Sequence, residues 1–184
     1  MVPTGASGRT GGMRLLTIVP AGQEDELRAF WRLVGRRGGA AGGGELAWAL
    51  ARFEMGCERA TALEALTDHL LALRALLEPE GPQSGRLAQR LAVICAQPEA
   101  RAALAHRVAG AIDLERAVIT GMTSAGERRA LFGSDRGESV EALVEELAAH
   151  LRAMLRDALC GHLDADLRGV ADDLLEEAAG EVSR

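Results

Sequence analysis

Asp172, Asp173 and Glu176 stand in the order Asp-Asp-x-x-Glu, the best-spaced group of potential ligands in the chain. On a helix this spacing brings three carboxylates near one face, an oxygen donor set that suits Mg²⁺ bound to a diphosphate. No second acidic cluster faces them in the pattern, and no basic residues stand out as partners for a diphosphate. An acidic solvent face on the last helix accounts for the three residues first. Other chemistries fail sooner. A di-iron bundle needs Glu-x-x-His pairs, yet three residues before His69, His106, His150 and His162 stand Leu66, Ala103, Leu147 and Leu159. Cys160 and His162 have no second pair to complete a zinc site. The glycines Gly121 and Gly126 have phosphate-loop spacing, but Glu127 and Arg128 follow where Lys and a hydroxyl are required. No Gly-x-Ser-x-Gly elbow is present. The sequence therefore leads to no cofactor, no metal and a non-enzymatic role. The three acids are the only candidate for a Mg-dependent helical enzyme, and His69, His106 and His150 are expected at helix surfaces or boundaries.

Charge and composition narrow the partners. All 21 basic residues are arginine, and Lys, Asn and Tyr are absent. A GC-biased coding sequence, and hence a high-GC bacterium, explains the arginines before phosphate recognition does. Arg36-Arg37 and Arg128-Arg129 are isolated pairs, aromatics are only 3% and the net charge is −6, which argues against a nucleic-acid surface. Charge is uneven: net +3 over residues 1–44, −1 over 45–137 and −8 over 138–184. No apolar run reaches the roughly 18 to 20 residues of a membrane span. LLTIVPA is too short for a secretory signal core and is followed by acids. Cys57, Cys95 and Cys160 lie in apolar helical stretches, so buried, reduced thiols in a cytoplasmic protein are expected.

Leucine spacing sets the elements. Leu63, Leu66, Leu70, Leu73 and Leu77 recur at alternating steps of three and four, with Leu71 and Leu76 widening the stripe. Thr61 and Glu64 fit a capping box ahead of them, and Glu78-Pro79 ends the helix. Before it, Leu46, Leu50, Phe53 and Cys57 mark a helix that Gly56 should fray, with a break at 58–60. EPEGPQSG over 78–85 reads as a loop. Leu87, Leu91 and Ile94 mark the next helix. Pro98 opens another, to Gly121, with Leu104, Val108, Ile112 and Ile119 inward. Residues 121–137 lose the period, and Leu131 and Phe132 are expected to pin them to the core. From Glu138 a second strong stripe follows, Val140, Val144, Leu147, Leu151 and Met154, flanked by Leu143, Leu155 and Leu159. Gly161 interrupts it, and Leu163, Leu167, Val170 and Leu174 carry a last helix to about Ala179.

The N-terminal part reads differently. Residues 1–12 are expected to be disordered, and Leu15–Val19 extended. Glu24–Val34 forms an amphipathic helix with Leu27, Phe30, Trp31 and Val34 on one face and three acids in its first turn. Residues 35–45, GRRGGAAGGGE, read as a flexible tether. The fold class is thus all-α, a bundle of six to seven helices: a flexible arm over 1–44, a core over 45–120, a connection over 121–137, and an acidic helical arm over 138–184 packing on the core or on another subunit. Wide Leu faces and the tethered aromatic helix point to a protein–protein interaction or regulatory module, most simply a homodimer or a complex with another helical protein. Phe30, Trp31, Val140, Val144, Leu147, Leu151 and Met154 are its contact residues. A bundle enclosing an apolar or small ligand is the alternative.

Overall fold

The computed structural model describes residues 20–37, 44–82, 84–121 and 140–182. They form seven α-helices, preceded by one 3₁₀ turn over Ala21–Gln23, and contain no strand. In chain order the helices are α1 (Glu24–Arg37), α2 (Glu45–Glu58), α3 (Ala62–Leu77), α4 (Leu87–Cys95), α5 (Pro98–Ile119), α6 (Val140–Cys160) and α7 (Leu167–Val182). The fold is an all-α bundle. No helix among the described residues is long and apolar enough to cross a membrane.

Helix α3 is the axis. Its start is fixed by Thr61, whose extended backbone lets the hydroxyl accept the Glu64 N–H at 3.3 Å and donate to the Glu64 carboxylate at 2.9 Å. Leu66, Leu70, Leu73 and Leu77 are buried along its length, joined by Ala65, Ala72 and Leu76. With apolar surface on more than one side, α3 packs against α2, α4, α5, α6 and α7. The resulting core is continuous from Ala49 in α2 to Leu167 in α7.

The other helices close around this axis. Pro98 starts α5 as expected from the sequence, and Gln97 before it has an extended backbone. Gly161 ends α6 in a left-handed conformation (φ 81°), and His162 N–H returns to the Asp157 carbonyl at 2.8 Å. Helix α6 lies on α3, α2 and α5, and α7 lies on α4 and α3.

Several local expectations are corrected. Residues 35–37, expected to be part of a flexible tether, are helical and extend α1. Ile119 is exposed rather than inward, because a 22-residue α5 is roughly 33 Å long and overruns the core; Ala111 and Leu114 are buried instead. Gly56 does not fray α2; it is buried against α3. Cys57 is exposed, while Cys95 and Cys160 are half-buried, and all three are free thiols. His69 is fully buried rather than at a boundary. The expectations for residues 1–12, Leu15–Val19, Leu131, Phe132 and the rest of 122–139 lie outside the described residues, as does Gly126.

Candidate functional site

Asp172, Asp173 and Glu176 are all on α7, but they do not converge on a common ligand. Asp172 turns onto α4, where its two oxygens accept Arg90 Nε at 2.8 Å and Arg90 Nη2 at 3.0 Å. Arg90 is only 2% exposed, and its Nη1 also donates to the Leu77 carbonyl at 2.6 Å and the Glu80 carboxylate at 2.5 Å. The guanidinium holds the Asp172 carboxyl below the usual carboxylate range. Asp173 and Glu176 are exposed. Among the described residues no three His, Cys, Asp or Glu side chains are grouped to hold a metal ion. A cation at Asp172 would have to displace the Arg90 guanidinium and so take from a buried arginine the carboxylate it needs. The spacing on the helix is as expected; the partner of Asp172 is what the sequence did not disclose.

The second set, on α6, is likewise occupied. Val144, Leu147, Leu151 and Met154 are buried inside this chain, and Val140 is half-buried against the same core. Their face lies on α3, the partner of comparable length that such a stripe needs. They are core residues of this chain.

Phe30 and Trp31 have the opposite fate. Helix α1 rests on α6, yet Trp31 stays 60% exposed and Phe30 38% exposed. Their rings meet edge to face at 6.4 Å between centroids. Together with Val34 they form one wall of a groove of about 270 Å³. Leu50, Phe53 and Glu54 of α2 form the second wall, and Arg152, Leu155, Arg156 and Leu159 of α6 form the third. The groove is apolar with a charged rim. Arg152 lies over the Phe53 ring at 5.4 Å, and Arg156 pairs with Asp157 at 2.9 Å on the surface. On α1 itself, Arg28 pairs with Glu24 and Asp25, and Glu26 is exposed.

Two buried polar clusters went unseen in the sequence. Beneath α2, Asp68 accepts Arg52 Nη1 at 3.1 Å and Arg59 Nε at 2.5 Å. Burial pushes this carboxyl up, but the hydrogen bonds from Arg59 and Arg52 outweigh it and hold the group low. Next to it His69 is buried with neither ring nitrogen hydrogen-bonded. Between α3 and α5, Arg74 grips Glu115 with both terminal nitrogens. Helical period places Asp68 and Glu115 on helices but carries no signal for the arginine each meets.

No protein-family model, curated protein or solved structure matches this chain.

Proposed function

We propose that this chain is a non-enzymatic helical interaction module that self-associates, with the α1–α2–α6 groove as its contact surface. The observation that carries the reading is the exposure of Phe30 and Trp31 at the edge of an apolar groove, where the other broad Leu stripes are buried in the chain's own core. Isolated exposed apolar residues need no explanation, but two aromatics bordering a groove of Leu and Phe do.

The occupant we assign is α1 of a second copy. This helix offers Leu27, Phe30, Trp31 and Val34 behind an acidic first turn, Glu24–Glu26, and the groove offers apolar walls behind Arg152 and Arg156. One surface thus carries both halves of the contact, which is the condition for a two-fold, self-complementary interface. Covering the exposed parts of Phe30 and Trp31 on both copies removes roughly 450 Å² of apolar surface, worth on the order of 11 kcal/mol before an association cost of about 4–15 kcal/mol. The dimer is therefore weak. The three free cysteines and the absence of any apolar span among the described helices accord with a reducing cytoplasm as its setting.

Sedimentation of the full chain at tens of micromolar tests this. The expected result is a monomer–dimer equilibrium that Phe30→Ser/Trp31→Ser shifts to monomer without lowering the melting temperature, and that Arg152→Glu weakens. A wild-type chain that stays monomeric at these concentrations overturns the reading. A small molecule co-purifying in the groove would replace it with ligand binding.

A further inference from the structure

We propose that His69 is an acid-operated latch between α2 and α3: taking up a proton in the core, it releases α2 from the bundle. The geometry is specific. His69 is 2% exposed, and neither Nδ1 nor Nε2 has a hydrogen-bond partner. Its ring fills a notch that only a glycine leaves open: a Cβ on Gly56 would lie 2.5 Å from both Cδ2 and Nε2. Phe53, one turn earlier in α2, covers the ring with centroids 5.7 Å apart. The imidazole is thus a wedge seated in α2, held by shape and not by hydrogen bonds.

A neutral imidazole always carries one N–H, so this seat already contains an unmet donor. Protonation adds a second donor and a full charge in the same dry place. The charged surroundings do not rescue it. On its own helix Asp68 is adjacent and favours the cation, but both of its oxygens are engaged by Arg52 of α2 and Arg59 of the α2–α3 turn. From α6, Arg152 opposes the cation and already lies over the same Phe53 ring. The remaining ionisable groups of this part of α2 are Glu54, Cys57 and Glu58, all on exposed residues, and none hydrogen-bonds the ring. Burial dominates and keeps His69 neutral to lower pH than an ordinary histidine.

The sign follows from linkage. With α2 open, His69 is wet and takes up its proton near the usual histidine value of about 6.5; with α2 closed it does so only at lower pH. The open state binds more protons through that interval, so falling pH favours opening. One proton sets a limit of about tenfold in the opening constant per pH unit. Well above pH 6.5 the opening constant no longer depends on this proton. The paired carboxylates act in a lower range, so the two effects separate along the pH axis.

Hydrogen exchange of the α2 amides, corrected for intrinsic rates and measured from pH 8 to pH 5 on dilute monomer, tests the latch whether or not the groove binds a second copy. In the wild-type chain the opening constant of α2 should rise below pH 6.5, approaching tenfold per unit. In His69→Phe, which keeps a ring against Phe53, and in His69→Gln, it should be flat. Proton NMR of the wild-type chain provides a readout free of any variant: the His69 ring should titrate below the usual histidine value of about 6.5. An equal pH slope in wild type and either folded variant, or a His69 ring that titrates at or above about pH 6.5, would overturn the proposal.

Discussion

Removing the Asp172 carboxylate should destabilise the fold, and removing its partner as well should restore most of the loss. Asp172→Ala leaves Arg90 Nε and Nη2 without acceptors in a site where the guanidinium is 2% exposed. Breaking a fully buried ion pair from one side costs about 3–5 kcal/mol. Two features lower that figure here. Glu80 and the Leu77 carbonyl still hold Nη1, and the Asp172 side chain is itself 37% exposed, so water reaches the vacated position. We expect a loss of about 1–3 kcal/mol at pH 7. Arg90→Met on top of Asp172→Ala removes the unpaired cation and keeps volume in the core, and the double variant should lie within about 1 kcal/mol of wild type. The sign with pH is also determined. The folded carboxyl titrates below its usual range, so its contribution is present above about pH 3.9 and is lost as pH falls through the folded value. The gap between wild type and Asp172→Ala should therefore narrow in strong acid. Urea unfolding curves with a common slope at each pH are the assay. A single variant within half a kcal/mol of wild type, or a double variant worse than the single, would show that Arg90 does not depend on this partner.

Two further outcomes are expected. Leu70→Ala, in the middle of α3 at a fully buried position, should cost about 2–5 kcal/mol in chemical unfolding, and a loss below half a kcal/mol would mean that this face is not core. Burial pushes the Cys95 thiol up to about 12, so in the folded chain at pH 8 a thiol reagent should modify exposed Cys57 well before Cys95, as peptide mapping would reveal; equal rates would contradict the packing of α4.

Local and periodic signals were readable in the chain alone. The Thr61–Glu64 cap, the Leu66–Leu70–Leu73–Leu77 face, proline at the start of α5 and glycine after α6 each depend on residues within a turn or two of one another. What was not readable depends on separation. Asp172 meets Arg90 across 82 positions and Glu115 meets Arg74 across 41, and nothing in helical period says which arginine turns inward. The α6 stripe reads as broad and apolar, but period cannot say whether the covering helix belongs to the same chain. Only Phe30 and Trp31 of the expected contact residues remained at a groove, since α1 carries an apolar face that its own chain covers incompletely. His69 was misplaced for a similar reason. Nothing local marks this histidine as buried, and only Gly56, thirteen positions earlier, makes room for its ring.

The long span between Arg90 and Asp172 also has a meaning in time. During synthesis at about 5–20 residues per second, Asp172 is added roughly 4–16 s after Arg90, given the 82 positions between them. Over that interval α3 and α4 can already form, yet the guanidinium that belongs beneath α7 has only Glu80 and the Leu77 carbonyl to receive it. A nascent chain in this condition keeps that arginine hydrated, and with it the α4 surface that α7 later covers. During synthesis, α7 can therefore cover α4 only after the preceding helices have been made, and a ribosome that stalls before Asp172 holds out a chain with an open seam along α4.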